Sequence, residues 1–408
     1  MAYFLYRTDR TVLYCPYVSA LDGPSSPRLT LPISPCFVML IAVRTDELAF
    51  HLPAELIAQR PLAQRDASRL LLLNRTDGSF EDSSFTLFPS LLQGDELLVF
   101  NDARVLPARL FGHRVGVRSP HSSTVLPTPP LPGNVEVFLT RQIELDRWEA
   151  LVKPGRKLPV GEKIVFGKAE LEGEIVERGE LGLRTIHFYS NSEQSVAQLI
   201  EKLGHVPLPP YIRRPDENAD RDRYQTVFAR SAVAVAAPTA GLHFTTELLD
   251  AVRARGCDTC ELTLNVGLGT FQPVHSETFE EHKIHAERYN IPEVTVDKIL
   301  QARKEKRPIL AVGTTVVRAL EAAAAEAAGS TSGGPLLQSG RAEAKIFLLP
   351  GSPFRVVDQL LTNFHLPQST LLALVAAFAG TQNILRAYRH AVEARYRFYS
   401  YGDCMLIR

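Results

Sequence analysis

The chain has 408 residues, with 45 lysines and arginines against 45 aspartates and glutamates, so its formal net charge is zero. Hydrophobic residues make up 45% and charged residues 22% of the sequence, a composition typical of globular proteins. The charge balance excludes a protein that binds nucleic acid through bulk positive charge, although a local basic face is compatible with it. The sequence has no apolar run near the roughly 20 residues that a membrane span needs.

The N-terminal residues differ from the rest of the sequence. Residues 1–38 contain Arg7 and Arg10 followed by a turn-rich stretch, without the continuous apolar segment of a secretory signal. Regular patterns begin only after Met39. We therefore predict that residues 1–44 are extraneous, either a disordered extension or the result of a start codon assigned too far upstream.

Residues 45–110 are predicted to form the first part of an α/β domain. Leu52–Ala58 is expected to be a short helix, and Arg69–Leu73 and Glu96–Phe100 are expected to be strands. Residues 111–200 predict an inserted β domain, because short apolar runs follow one another without helices, as in a small barrel or sandwich. Its first part, 116–133, has the composition of a loop. Its predicted strands are Val135–Leu139, Trp148–Val152, Lys163–Phe166, Gly173–Glu177 and Arg184–Tyr189.

Residues 201–408 predict the main α/β domain, because apolar strands here alternate with helices. The predicted strands are Leu262–Val266, Ile309–Val312 and Lys345–Leu349. The predicted helices are Val316–Ala328 and Ser369–Phe378, the second ended by Gly380, with a Gly/Ser loop at 329–340 between them. The fold class is therefore α/β, a layered body with a β-rich insertion.

Small residues and hydroxyls surround His243 in the run 237–245. Thr239 and Gly241 leave room for the backbone to approach a ligand, and a helix that begins near Thr245 would aim its amides at that ligand. The alternative is a tight turn with a capping threonine.

A second glycine-containing run, 265–271, follows a predicted strand and includes Gly267 and Gly269. Gln272 occupies the third glycine position of the dinucleotide fingerprint, so a Rossmann site is excluded. A close approach of the backbone to another ligand is still compatible with this run.

His282, His285 and Glu287 follow within six residues. If this segment is helical, the two imidazoles share a face that suits a metal ion, although the segment lacks the HExxH spacing of metalloproteases. The same groups could instead supply an acid, a base or hydrogen bonds to an organic ligand.

Two further runs place polar groups beside apolar elements. Thr314 and Thr315 follow a buried strand and open a helix, at the usual ligand-binding edge of α/β sheets. Asn363 and His365 similarly precede a buried helix, at whose start Ser369 could bind a ligand or simply cap the helix.

Basic residues form three candidate groups. The pair Arg213-Arg214 and the charged run 303–307 have the composition of solvated faces. The C-terminal arginines between 386 and 397 alternate with Tyr388 and Tyr396, a composition that suits contacts with RNA phosphates and bases. A pair of cysteines with CxxC spacing, Cys257 and Cys260, has no second pair to complete a zinc site and is interpreted as two buried thiols.

Taken together, eight runs resemble the S-adenosylmethionine:tRNA ribosyltransferase-isomerase family of queuosine biosynthesis. They occur in the family's order and extend from about Asp46 to the C-terminus. The runs are Val99–Arg109, Tyr224–Val227, Ala237–Phe244, Val266–Val274, His282–Glu287, Val312–Arg318, Asp358–Gly380 and Tyr396–Ile407.

The resemblance implies an α/β sandwich with an inserted β-barrel and an enzyme that uses S-adenosylmethionine as a ribosyl donor. Such an enzyme transfers and isomerises the ribosyl group onto 7-aminomethyl-7-deazaguanine at the wobble position of tRNA. The products are epoxyqueuosine in tRNA, adenine and methionine. The resemblance also implies a cytoplasmic, monomeric protein that needs no metal and has no membrane partner.

The resemblance and the chemistry of the side chains together give the candidate site. A positioned base would remove a proton beside the sulfonium, and adenine would leave with a proton. The candidates for these proton transfers are His243, His285, Glu287 and Asp403. The candidates for binding S-adenosylmethionine are Thr239, Gly241, Gly267, Gly269, Thr314, Thr315, Arg318, Asn363, His365 and Ser369.

The sequence departs from the family pattern at a few positions. Asn265 stands in place of a usual histidine, Ile284 in place of methionine, and Ala103 in place of threonine, while Val233-Ala234 replaces Gly-Ser. Asparagine keeps a hydrogen bond but does not carry a proton near neutral pH. Two other functions stay open at this point, a metal-dependent hydrolase built on the His282 segment and a tRNA-binding protein without catalysis.

Overall fold

The fold is described from a computed structural model that covers residues 3–8, 11–16, 39–40, 42–115, 133–267, 274, 276–330 and 336–408. Within these ranges we number the strands and α-helices in chain order. The strands are β1 (Tyr3–Thr8), β2 (Thr11–Pro16), β3 (Met39–Leu40), β4 (Arg69–Leu73), β5 (Phe80–Ser84), β6 (Leu97–Asn101), β7 (Ala103–Val105), β8 (Arg109–Arg114), β9 (Asn134–Glu144), β10 (Arg147–Lys153), β11 (Lys163–Phe166), β12 (Leu171–Arg178), β13 (Leu183–Ser190), β14 (Ser231–Ala234), β15 (Asp258–Leu264), β16 (Glu287–Ile291), β17 (Ile309–Val312), β18 (Gly340–Ala344), β19 (Gln359–Asn363) and β20 (Cys404–Ile407). The α-helices are α1 (Phe88–Leu91), α2 (Val196–Leu203), α3 (Asn218–Arg223), α4 (Thr246–Ala254), α5 (Glu293–Glu305), α6 (Thr314–Ser330), α7 (Thr370–Ala379) and α8 (Thr381–Glu393).

A mixed nine-stranded sheet forms the body, in the order β18-β16-β15-β6-β17-β19-β20-β4-β5. Its central strands β15, β6, β17 and β19 are parallel, and antiparallel pairs occur toward both edges. Every residue of β6, β17 and β19 is buried. Such burial is typical of parallel strands covered on both faces.

Helices cover the two faces of this sheet and form separate apolar cores. Val99 and Ala311 point into one core with residues of α5, α6, α7 and α8. Leu98 and Leu310, their neighbours along the same strands, point into the other core with residues of α1 and α4. Because successive side chains of a strand alternate between its faces, the body is a layered sandwich, and the predicted fold class is confirmed.

The insertion is a closed barrel of six strands in the order β10-β13-β12-β11-β8-β9, and each neighbouring pair is antiparallel. Its interior contains Val137, Ile186 and Phe188, and α2 packs against it through Leu199 and Ile200. The five strands predicted for the insertion lie within β9 to β13. The short parallel pair β7 and β14 lies where the chain passes between body and barrel.

Several local predictions are wrong. Lys345–Leu349 is not a strand, because its apolar side chains pack against the body core while β18, just before it, makes the pairing with β16. Residues 282–286 are not helical, and β16 begins at Glu287. The expected helix at Leu52–Ala58 is only a 3-10 turn, Ala54–Leu56. The helices α5 and α8 were not predicted.

Near the N-terminus, β1, β2 and β3 form a separate antiparallel sheet. The sequence analysis predicts no strands in this segment, and these three strands differ from the disorder that it expects there. That residues 1–44 are extraneous stays a prediction. The predicted loop at 116–133 lies almost wholly outside the described residues, as does part of the loop at 329–340.

In the described ranges, no single helix is both long and apolar enough to cross a membrane. The adjoining helices α7 and α8 have the length and composition only as a pair, and they are bent by 115°.

Candidate functional site

A cavity lies where the parallel strands β17 and β19 end. The carboxyl ends of parallel strands meet at one edge of a sheet, where ligands of α/β proteins usually bind. Gly313, with φ of 99°, leads β17 directly into α6 and brings the first hydroxyls of that helix to the cavity. Six residues predicted to bind a ligand line this cavity: Thr239, Thr314, Thr315, Asn363, His365 and Ser369.

The cavity also contains aromatic residues that the sequence analysis missed. Tyr211 and Tyr399 line it with their ring centroids 4.5 Å apart, and the hydroxyls of Tyr211 and Ser400 are 2.6 Å apart. Tyr399 comes from the tyrosine-rich C-terminus, which was a usable signal. Tyr211 has no local pattern that distinguishes it, because it approaches Tyr399 only through the tertiary fold.

Two buried polar atoms in the cavity residues have no hydrogen-bond partner among the described residues. These atoms are Asn363 Oδ1 and Thr315 Oγ1. A buried polar atom left without a hydrogen bond costs roughly 1–3 kcal/mol. A polar ligand in the cavity would satisfy both atoms, so their position supports a binding site.

His243 is buried behind this cavity rather than in its wall. Its Nδ1 is 2.7 Å from Ser68 Oγ and its Nε2 is 3.2 Å from Asn363 Nδ2. The Asn363 amide also donates to the carbonyl of Tyr399, so it donates to Nε2 and leaves the imidazole proton on Nδ1 for Ser68. Burial, and to a lesser extent the charge of Arg397, lowers the pKa of His243 to about 3. The imidazole is therefore neutral and holds Asn363 in place.

Asp403 is also occupied by the protein itself. Its carboxylate accepts hydrogen bonds from the backbone N–H groups of Arg69 and Arg397, at 2.9 and 2.8 Å. Burial raises the pKa of Asp403 although these bonds oppose the shift. The residue ties the start of β4 to the turn before β20.

Glu287 and Arg318 form a buried ion pair away from His243. Glu287 also accepts a hydrogen bond from the backbone N–H of Gly267 at 3.1 Å, and Arg318 donates to the carbonyl of His285 at 3.3 Å. The His285 side chain is exposed. The structure thus separates the four candidates for proton transfer, with His243 and Asp403 behind the cavity and Glu287 and His285 elsewhere.

A cleft lies between the barrel and the body. Barrel residues, among them Trp148 and Glu149, line it opposite Gly267 and Glu287 of the body. Val266 lines both this cleft and the cavity, so the two spaces adjoin. A ligand in the cavity and a second one in the cleft can therefore approach each other.

Residues 45–407 match the family model described as "Queuosine biosynthesis protein". The chain belongs to this family. The queuosine biosynthesis family resemblance predicted from the eight sequence runs is thereby confirmed.

Relatives in the queuosine biosynthesis family match over almost their whole length. The S-adenosylmethionine:tRNA ribosyltransferase-isomerase of Solibacter usitatus is 53% identical over 368 residues, 88% of this chain and 99% of the relative. The protein of the same name from Natranaerobius thermophilus is 44% identical over 90% of this chain and 100% of the relative. A crystal structure of an S-adenosylmethionine tRNA ribosyltransferase from Thermotoga maritima is 34% identical, covering 89% of this chain and 100% of that one, with a TM-score of 0.47.

The structure also defines the contacts or position of three other residues that the family resemblance singled out. Gly241 packs closely, since a Cβ there would lie 2.6 Å from Phe228 and 2.8 Å from Thr226. Ser369 caps α7 by accepting from the Leu372 backbone N–H at 3.2 Å, the alternative that the sequence left open. Gly269 lies outside the described residues. Asn265, at the position of the family's usual histidine, lines the cleft.

The C-terminal tyrosines do not form an RNA-stacking surface. Tyr388 and Tyr396 have no exposed surface, because both pack against Phe364 in the body core. Arg386 is exposed, but it donates to the carbonyl of Gly78 at 2.8 Å. Tyr388 lies on the buried face of α8 and Tyr396 is buried just after that helix ends, so neither ring is available for stacking on a base.

The described part of the chain contains no group of three or more His, Cys, Asp or Glu side chains that could hold a metal ion. The two residues with CxxC spacing, Cys257 and Cys260, are buried free thiols, as predicted. Burial raises the pKa of Cys257 to about 11 and that of Cys260 to about 12, so neither is a ready thiolate ligand.

Proposed function

We propose that this protein transfers and isomerises the ribosyl group of S-adenosylmethionine onto 7-aminomethyl-7-deazaguanine at the wobble position of tRNA. The products are epoxyqueuosine in tRNA, adenine and methionine. The observation that carries the proposal is the family match over residues 45–407, joined by relatives of this activity at 44% and 53% identity over nearly their full length.

S-adenosylmethionine is placed in the cavity at the ends of β17 and β19. The Tyr211 and Tyr399 rings offer aromatic faces that suit either adenine or the sulfonium cation. The hydroxyls of Thr314 and Thr315 and the amide oxygen of Asn363 suit the donors and acceptors of ribose and adenine. In the described part of the chain, Thr315 Oγ1 and Asn363 Oδ1 have no hydrogen-bond partner, which supports a fit with a polar co-substrate.

The tRNA nucleotide is placed in the cleft between barrel and body. Val266 separates the cleft from the cavity, so the aminomethyl group of the base would reach the ribosyl group across it. In this arrangement the inserted barrel supplies one wall of the tRNA site. Asn265 faces the same cleft and supplies hydrogen bonds there.

The roles of the four acid–base candidates divide in two. His243 is a positioning residue for Asn363, and Asp403 positions the chain before β20, since each already bonds to protein groups. Glu287 orients Arg318 and the Gly267 backbone at the cleft. His285, two residues before Glu287, is the candidate for proton transfer with an exposed imidazole.

His282 provides a matched control for His285. His285→Ala should lower adenine release by roughly 10²- to 10⁴-fold if its imidazole acts as general base or acid. His282→Ala removes a neighbouring imidazole of the same segment and should leave the rate near that of the unaltered protein. Equal rates for both variants would remove His285 from the reaction.

The proposed function is tested by adenine release from S-adenosylmethionine. We expect adenine only when tRNA carrying the 7-aminomethyl base is present, and none with the same tRNA lacking that base. S-adenosylhomocysteine, which lacks the sulfonium, should release none under the same conditions. Binding of the modified tRNA without adenine release would instead favour a tRNA-binding protein that has lost catalysis.

Three further properties belong to the proposal. We expect a cytoplasmic monomer, which light scattering of the purified chain checks for mass. We also expect adenine release to survive dialysis against a chelator. A loss that is restored by one divalent metal would favour the metal-dependent alternative.

A further inference from the structure

A second, smaller cavity lies beside His243. Ser400 lines both this cavity and the larger one, so the two adjoin. The charged groups in its lining are the guanidinium groups of Arg65 and Arg223, and no acidic residue of the described ranges lines it. We call this space the arginine cavity.

The guanidinium groups around the arginine cavity bond to backbone carbonyls instead of carboxylates. Arg65 donates to the carbonyl of Gln225 at 2.8 Å, and Arg223 donates to the carbonyl of Ala63 at 3.0 Å. Arg397, whose charge acts on His243, likewise donates to a carbonyl. Within the described ranges none of these three arginines forms an ion pair, so their positive charges are not neutralised by a contacting carboxylate.

Partial burial makes this arrangement unfavourable without an anion. All three arginines are half-buried, and the Nε of Arg223 and one Nη of Arg397 are buried without a partner among the described residues. Desolvation lowers the pKa of Arg65, and the nearby charge of Arg223 lowers it further. Asp403 partly offsets desolvation at Arg397, but from a distance, because its oxygens are held by backbone N–H groups.

We propose that the arginine cavity is an oxyanion subsite that holds a backbone phosphate of the tRNA. Guanidinium groups match the geometry of phosphate oxygens and are the usual choice for partly buried phosphate contacts. Because the chain has no net charge, its attraction for RNA depends on local clusters such as this one. The inference rests on the proposed function for the identity of the RNA. The carboxylate of S-adenosylmethionine has the same oxyanion chemistry and is the second possible source.

The test uses the full chain and measures tRNA affinity over a series of salt concentrations. Arg223→Gln should weaken binding equally for tRNA with and without the aminomethyl base, since a phosphate carries no base information. The slope of log affinity against log salt should become smaller by about 1. Arg223→Lys, which keeps the charge, should retain most of that slope. Arg253→Gln, at an exposed arginine paired with Asp250, is the matched control and should behave like the unaltered protein.

Gln64→Glu supplies a second variant that removes no arginine. Gln64 is exposed and lines the arginine cavity, so a carboxylate of the same size would neutralise the arginines and exclude the phosphate. This variant should raise the thermal unfolding temperature and lower tRNA affinity. An unchanged salt slope in both Arg223→Gln and Gln64→Glu would overturn the proposal.

Affinity for S-adenosylmethionine separates the two sources of the oxyanion. It should be unchanged in these variants if the arginine cavity binds tRNA phosphate. A tenfold loss of S-adenosylmethionine affinity with an unchanged tRNA salt slope would assign the arginine cavity to the methionine carboxylate instead. Because both affinities are measured without turnover, absence of adenine release in the unaltered protein would count against the proposed function and not against this subsite.

Discussion

The buried ion pair between Glu287 and Arg318 gives a sharp stability prediction. The Glu287 side chain is 3% exposed and that of Arg318 is 8% exposed, so neither charge is screened by water. Arg318→Met removes the cation and leaves the Glu287 carboxylate buried with the Gly267 backbone N–H at 3.1 Å. Removal of one partner of such a pair typically costs about 3–5 kcal/mol.

The double variant Glu287→Gln/Arg318→Met tests the physical reason. It removes both charges together, and replacing a buried ion pair by neutral groups of similar volume is often neutral or stabilising. We therefore expect the double variant to be more stable than Arg318→Met by about 3 kcal/mol. Arg253→Met, which breaks an exposed pair, should change the free energy of unfolding by at most about 1 kcal/mol.

Urea unfolding followed by far-ultraviolet circular dichroism is the suitable assay. The single tryptophan, Trp148, lies in the barrel, so its fluorescence reports that domain and not the body that contains the ion pair. If the double variant is no more stable than Arg318→Met alone, the loss does not come from an uncompensated buried charge. In that case Arg318 stabilises the body through packing.

Three other predictions follow from the same structure. Thr315→Val removes a buried hydroxyl that has no hydrogen-bond partner among the described residues, so S-adenosylmethionine should bind about three- to tenfold more weakly by calorimetry while stability does not fall. Unchanged affinity would remove this hydroxyl from the site. Gly241→Ala forces a Cβ to within 2.6 Å of the Phe228 ring and should lower the free energy of unfolding by about 1–3 kcal/mol in thermal unfolding. Gly329→Ala, in open space near the end of α6, should be neutral or stabilise by up to about 1 kcal/mol. Equal effects of the two substitutions would contradict the packing argument. Burial lowers the pKa of His243 and of His365 from 6.5 to about 3. The stability that each contributes is therefore present above pH 6.5 and is lost as the pH falls toward 3, by up to about 1.4 kcal/mol per pH unit. The free energy of unfolding of His365→Asn should depend less steeply on pH, and an unchanged slope would refute the buried neutral state.

The strands of the barrel were predictable from the alternation of apolar and polar residues along the chain. Its strands read as period-2 patterns separated by turns, and the predicted runs lie inside β9 to β13 because each pattern is a property of neighbouring residues. The same reasoning failed at Lys345–Leu349, whose apolar residues satisfy a core without strand pairing. An apolar run that will be buried can therefore form either a paired strand or an extended segment without strand pairing, and the run itself does not distinguish the two.

Some residues of the cavity were predicted from their position next to buried elements in the sequence. Thr314 and Thr315 follow a predicted buried strand, at the usual ligand-binding edge of an α/β sheet, and Asn363 and His365 precede a predicted buried helix. The structure adds that Asn363 ends β19, which runs parallel to β17, so that both pairs of residues meet at one edge of the sheet. The proton-transfer candidates had no such rule behind them, and the structure separates His243 from Glu287.

The sequence by itself determined the family, the layered body, the barrel and the end of β17 at the cavity, because these depend on local patterns and on motifs in a fixed order. Only the tertiary structure decided which side chains meet. Tyr211 contacts Ser400 and Tyr399, and Glu287 takes Arg318 as its partner. Arg65 and Arg223, which form no ion pair within the described ranges, lie beside His243. The strand order of the body sheet departs from chain order, so residues far apart in sequence become neighbours by packing that no local periodicity encodes.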